Sequence, residues 1–156
     1  LMTGYNSRHG MVKVPPYQLY MAFADMRNFL QYLPEDKRQG VQADYDTISA
    51  SVQNFDIGVK VFERVPYSRI SVVDNGAPFA FKVDLHFDPC SNDPNATDFH
   101  IAVEADLNFM MKMMLGSKIQ SGLDKIVQSF EDLSNGRMPE GVDPSQFPGS
   151  DFFTKR

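Results

Sequence analysis

The chain has 156 residues, 42% of them hydrophobic and 22% charged, with a formal net charge of -5 at neutral pH, which suits one globular domain with one core. No basic block stands out, so the electrostatic footprint of a nucleic-acid binder and the cationic face of a membrane-surface helix are both missing. No apolar run reaches the ~20 residues of a membrane span, Leu1 to Gly10 lacks the layout of a signal peptide, and the single cysteine, Cys90, allows no internal disulfide, so the cytoplasm is the expected compartment.

In chain order, Tyr5 to Val14 reads as a first strand, ended by Pro15-Pro16. Pro16 suits the first turn of a helix. Tyr17 to Asp25 carries Leu19, Tyr20, Phe23 and Ala24 at helical spacing, and Met26 to Leu33 continues with Phe29, Leu30 and Leu33 until Pro34. The spacing predicts two short helices or one broken helix.

From Val41 the period changes to two. Val41 to Tyr45 reads as a short edge strand. Ile48, Ala50 and Val52 alternate with polar residues, as do Ile57, Val59 and Val61, and Arg69 to Val73 follows a Pro66-Tyr67 turn. Asp74-Asn75-Gly76 is a strong turn signal. Phe79, Phe81, Val83, Leu85 and Phe87 then alternate with Lys82, Asp84, His86 and Asp88. After a Pro/Asn/Asp loop, Phe99, Ile101, Val103, Ala105 and Leu107 alternate with His100, Glu104 and Asp106. A hairpin with Leu85 opposite Ile101 matches Phe87 with Phe99, Val83 with Val103, Phe79 with Leu107 and, on the other face, Lys82 with Glu104. A slip of one residue would destroy both matches.

The last element is the longest. Leu115, Ile119, Leu123, Ile126, Phe130 and Leu133 form one helical stripe, with Asn108 as N-cap and Gly136 placed to end it. Beyond it, Met138 to Arg156 is rich in Pro and Gly and is expected to be irregular, with Phe147, Phe152 and Phe153 available to pin it to the body.

A strand, two short helices, a six-strand antiparallel meander and one long helix make an order similar to the α+β helix-grip fold of the START-like (SRPBCC, Bet v 1-like) superfamily. That group includes plant pathogenesis-related allergens, lipid-transfer domains and polyketide cyclase/dehydratase-like proteins. Tyr5 to Val14, Pro16 to Pro34 and the run from Ala105 to Met114 resemble small bacterial members of the cyclase-like group. The likeness spans Tyr5 to Asn135, which makes 1-135 one domain and 136-156 a tail. It implies a curved sheet wrapped around the terminal helix, with a cavity between them for a lipid, polyketide or other apolar ligand. It supplies no catalytic set.

On that reading the cavity is lined by Phe81, Val83, Leu85, Phe87, Ile101 and Val103 from the sheet, and by Met111, Leu115, Ile119 and Leu123 from the helix. The plainer alternative is that these residues simply fill a core. Gly116, Gly122 and Ala105 hint at space. Met110, Met111, Met113 and Met114 point around most of a helical turn, so they cannot all face one core. Cover by the tail or the short helices is the expected fate, against a portal, a membrane contact or a homodimer surface.

Two residues are candidates for proton transfer. His9 shares a strand face with Ser7 and Met11 and would present an imidazole if that face is concave. Glu63 interrupts the apolar alternation of its strand. Each has an ordinary alternative, a histidine satisfied by a neighbour and a strand end turning to solvent. His86 and His100 fall opposite each other on the outer face near Asp84, Asp88 and Asp98, a ligand set for a metal but also what a solvated strand face looks like. No metal and no other cofactor is expected. Cys90 has no activating neighbour, and no phosphate loop, GxSxG elbow, HExxH or CxxC is present. The expected function is that of a non-enzymatic carrier or sensor of a small apolar ligand. The alternatives are a cyclase- or dehydratase-like enzyme using His9, Glu63 or Tyr5, and an interaction module built on the methionines.

Overall fold

The computed structural model describes residues 2–33, 35–52 and 55–137. The elements in order are β1 (Met2–Asn6), β2 (Gly10–Val12), α1 (Pro16–Ala24), 3-10 turns at Met26–Tyr32 and Glu35–Lys37, β3 (Val41–Ala43), β4 (Thr47–Val52), β5 (Phe55–Val65), β6 (Arg69–Asp74), β7 (Phe81–Cys90), β8 (Asp93–Asp106) and α2 (Phe109–Ser134). The strands form one eight-stranded antiparallel sheet in the order β1-β8-β7-β6-β5-β4-β3, with β2 also on β8. This is the expected α+β architecture: a curved sheet and one long C-terminal helix. The expected tail contacts of Phe147, Phe152 and Phe153 lie outside the described residues, as does the stop at Pro34.

The β7–β8 hairpin has the register that side-chain alternation requires. Leu85 pairs with Ile101, Val83 with Val103, Phe87 with Phe99 and Lys82 with Glu104. The ladder begins at Phe81 opposite Ala105, so the expected Phe79–Leu107 pair does not form. Phe79 precedes the strand and packs on the core beside Phe81, their ring centroids 5.9 Å apart.

The expected first strand is two strands. Ser7 interrupts it: its hydroxyl accepts from the Ile101 N–H at 2.8 Å and donates to the Arg8 carbonyl at 2.8 Å. A side chain thus takes a place in the ladder that backbone would hold, and the alternation of faces is lost between Ser7 and Gly10. A second irregularity lies in β5, where the register with β6 shifts between Val61 and Glu63. An extra residue there turns the following side chains to the other face. Val61 packs on the core, Phe62 and Glu63 are exposed, and Arg64 turns inward.

Arg64 uses that inward direction to hold α1. Its Nε donates to the Ala24 carbonyl at 2.9 Å and its Nη2 to the Tyr45 carbonyl at 2.8 Å, with the guanidinium 3.9 Å over the Tyr45 ring. α1 ends at Asp25, whose extended backbone and carboxylate start the next turn by accepting from the Arg27 N–H at 3.0 Å. This is the break between the two short helical segments.

α2 is capped as its sequence predicts. Asn108 accepts from the Met111 N–H at 2.9 Å, and Gly136 leaves the helix at φ +76°. The helix packs chiefly on β1, β2 and β8. A polar rail fixes it there. Gln120 donates to the Asn6 carbonyl at 2.6 Å, Asp124 accepts from the Arg8 N–H at 2.7 Å, and Glu131 accepts from the Met11 N–H at 2.7 Å and from the Arg8 guanidinium at 2.7 Å. Gly10 lets β2 come this close, since a Cβ on it would lie 2.5 Å from Cγ1 of the fully buried Val127. The helix is thus tied to one side of the sheet and leaves the concave face of the middle strands to other elements.

Candidate functional site: an apolar hollow under the terminal helix

Between the middle strands and the helices lies a hollow of about 470 Å³. Its floor crosses five strands: Ile48 on β4, Val59 on β5, Val72 on β6, Val83 and Leu85 on β7, and Phe99, Ile101 and Val103 on β8. Register aligns them, since Ile48 pairs with Val59, Val72 with Val83, and Val83 with Val103. The walls are Phe23 of α1, Met26, Phe29 and Leu33 of the following turn, and Leu123, Ile126 and Phe130 of α2. Val83, Leu85, Val59 and Ile48 face the inside of the sheet yet are only half-buried. A core residue in that position would be covered, and the uncovered area is the hollow.

Every one of these side chains is apolar, and none can donate or accept a strong hydrogen bond or carry a charge. A shallower groove of about 270 Å³ shares Leu33, Ile48 and Val59 and runs toward Val41, Ala50 and Ile57 at the β3 side of the sheet.

Of the residues expected to line a cavity, Val83, Leu85, Ile101, Val103 and Leu123 do so. The other five are not among the walls of this hollow. Phe87 is fully buried in an aromatic stack with Phe23, Tyr20 and Phe99, centroids 5.6 to 5.9 Å apart. Phe81 starts β7 at the far end of the floor. Met111, Leu115 and Ile119 belong to the first half of α2, where Met111 and Ile119 pack on the core. The space expected at Gly116 is taken by Tyr5, whose hydroxyl would lie 3.3 Å from a Cβ there. Phe29, Leu33, Ile126 and Phe130 all stood in helical stripes of the sequence, while Met26 marked only the start of the second segment. Their use as walls depends on where the helices dock.

The two proton-transfer candidates do not reach the hollow. The break at Ser7 carries His9 to the outer face of the sheet, where its ring stacks on His100 at 4.0 Å and its Nδ1 bonds to Asp98 at 2.8 Å. The β5 bulge puts Glu63 outward, bonded to the Arg69 guanidinium. His86 and His100 face each other as expected, with ring centroids 4.4 Å apart. His100 therefore lies between two imidazoles. Burial, and then the neighbouring His9 and His86, push its pKa below the usual histidine value. Asp84 is occupied by the Ser71 hydroxyl. Burial, with the carboxylates of Asp98 and Asp93, pushes the Cys90 thiol up, the opposite of what a nucleophilic cysteine needs.

The methionine cluster divides. Met111 turns toward the core, while Phe109, Met110, Met113 and Met114 are between 63% and 78% exposed, so the short helices do not cover them. No helix among the described residues is long and apolar enough to cross a membrane.

No protein-family model matches the sequence, and no curated protein matches it. Solved structures do. Norcoclaurine synthase from Thalictrum flavum superposes with a TM-score of 0.62 at 10% identity, over 85% of this chain and 86% of that one. The Aha1 dimer from Colwellia psychrerythraea gives 0.61 at 11% identity, over 90% and 99%. A protein from Thermobifida fusca solved in solution gives 0.62 at 13% identity, over 82% and 89%. At such identities the likeness concerns the fold: the chain has a Bet v 1-like, helix-grip fold.

Proposed function

We propose that this chain is a START-like carrier or sensor that holds one small hydrocarbon-rich molecule, a lipid or polyketide for example, in the hollow between the curved sheet and α2. We further take it to be one domain, residues 1-135, acting in the cytoplasm. The observation that carries the reading is the wall composition. A space of about 470 Å³ whose walls among the described residues are all apolar falls in the size range of small-molecule sites, ~300–1,000 Å³. Each ~100 Å² of ligand hydrocarbon withdrawn from water contributes about 2.5 kcal/mol. Polar walls would be needed to recognise a polar ligand.

The same wall composition favours holding a molecule over altering it. A cyclase or dehydratase must place an acid or base within hydrogen-bond reach of its substrate. Two of the sequence candidates, His9 and Glu63, sit on the other face of the sheet, and the third, Tyr5, lies against Gly116 of α2 and is not among the walls of the hollow. Native mass spectrometry of the full chain purified from its own host tests the proposal. A bound lipophilic molecule at one per chain, released on unfolding, is the expected result. Protein free of any adduct, together with no uptake of fatty acid or polyketide from a mixture of these offered in solution, overturns it.

A second reading concerns a partner. The exposed Phe109, Met110, Met113 and Met114 make an apolar patch of flexible side chains, and one structural neighbour is described as a dimer. We propose that this patch joins two copies of the chain. Light scattering across a concentration series should show a dimer that Met110→Asp with Met114→Asp converts to monomer. A monomer at all concentrations contradicts it.

A further inference from the structure

The outer face of the sheet carries a second cluster, on the side of β8 opposite the hollow. His9, Asp98 and His100 each offer a ligand atom, and these atoms all lie within 4.8 Å of one another. Three features single out this group. First, it is assembled from distant parts of the chain: Asp98 and His100 share the outer face of β8, and His9 reaches them only because Ser7 breaks the β1–β2 strand. Second, Asp98 stands directly opposite Asp88 in the β7–β8 ladder, a like-charge pair that destabilises a sheet and that a bound cation relieves. Third, the buried Nδ1 of His100 has no hydrogen-bond partner among the described residues. A cleft of about 490 Å³ opens directly on His9 and Asp98, between Gly10 and Met11 on one side and the Pro89–Asn92 turn on the other.

We propose that His9, Asp98 and His100 bind a late first-row divalent cation, of the zinc, cobalt or nickel kind, with the remaining coordination positions open to the cleft. Two imidazoles and one carboxylate are a ligand set that suits these ions. An ion held by three ligands at ~2.1 Å sets their donor atoms about 3.4 Å apart, so the more distant atoms of the cluster close in on binding, while the His9–Asp98 hydrogen bond at 2.8 Å gives way to coordination. The stacked rings of His9 and His100, 19° apart in plane, cannot both aim an in-plane lone pair at one ion. Binding therefore turns the His9 ring out of the stack. That side chain is 59% exposed, on a residue outside the strands, and can make the turn. His86, stacked on the far side of His100, stays where it is.

Cobalt(II) titrated alone into the full, tag-free chain tests this, read by its visible ligand-field absorption. The expected result is saturation at one equivalent, displacement by zinc, and a loss of affinity of at least tenfold in His9→Gln and in Asp98→Asn. Glu104→Gln, an exposed carboxylate further along the same strand face, should bind as the parent does. Circular dichroism of the two ligand variants checks that they fold, and zinc should raise the melting temperature of the parent but not of either variant. Absence of saturable cobalt binding in the parent overturns the proposal. So does saturation that both ligand variants leave unchanged. Neither outcome bears on the hollow, which lies on the opposite face of the sheet.

Discussion

Glu131, in the last turns of α2, accepts a hydrogen bond from the backbone N–H of Met11 at 2.7 Å. Its second oxygen takes the Arg8 guanidinium at 2.7 Å, so one carboxylate ties the helix to the β1–β2 segment twice. This bond and its companions from Gln120 and Asp124 decide which part of the sheet the helix covers, and so where the hollow is. Hydrogen bonds to a charged group are worth about 1.5–3 kcal/mol. Glu131→Ala should destabilise the fold by about 2–3 kcal/mol in urea denaturation, and Glu131→Gln by less, since the amide can still accept from Met11.

Gly10 sets the other half of that contact. A Cβ there would lie 2.5 Å from Val127 Cγ1, on a buried, branched side chain that cannot swing away. Gly10→Ala should cost about 1–3 kcal/mol by overpacking, measured as a lower denaturation midpoint at unchanged slope. A neutral or stabilising effect would mean that β2 and α2 do not approach this closely.

The floor of the hollow should also be legible in stability. Phe87 is fully buried while Leu85, two residues earlier on the same face of β7, is half-buried. Phe87→Ala should cost about 3–5 kcal/mol, as large core truncations do. Leu85→Ala removes atoms that already face open space, and should fall at or below about 2 kcal/mol. Equal, large losses at both positions would mean that the hollow is filled.

Asp25 gives a pH dependence. The Arg27 side chain bonded to its carboxylate holds its pKa below the usual value, against a smaller opposing effect of burial. With the folded value lower than the unfolded one, the group stabilises the fold fully above about pH 4 and loses that contribution as pH falls through the folded pKa. The stability difference between the parent and Asp25→Asn should therefore be present at neutral pH and shrink toward zero in acid. A difference that grows in acid would contradict the assignment.

Much of this architecture is written in the alternation of the strands. Val83, Leu85, Ile101 and Val103 are recognisable as one face because period two is rigid: once Leu85 is set against Ile101, every neighbour follows. What defeats such reading is local departure from period. The Ser7 hydroxyl replaces a backbone ladder bond and moves His9 to the other face, and no pattern in the sequence marks that exchange. The bulge at Val61–Glu63 does the same for Glu63, where the broken alternation was visible but its direction was not. The walls formed by Phe29, Leu33 and Phe130 were visible as helical stripes. That they face a void and not a filled core depends on the polar rail of α2, whose residues look like ordinary solvent-facing positions.

The central claim is that the hollow takes up an apolar molecule. The most direct measurement is fluorescence titration of the full chain with 1-anilinonaphthalene-8-sulfonate, comparing the parent with Val83→Phe. Val83 lies mid-floor between Val72 and Val103, so the added ring occupies the space itself. Saturable binding at one site is expected in the parent, weakened at least tenfold by Val83→Phe and left intact by Met110→Asp with Met114→Asp. Binding that ignores Val83→Phe and disappears with the methionine changes would place the dye on the exposed patch and contradict the account.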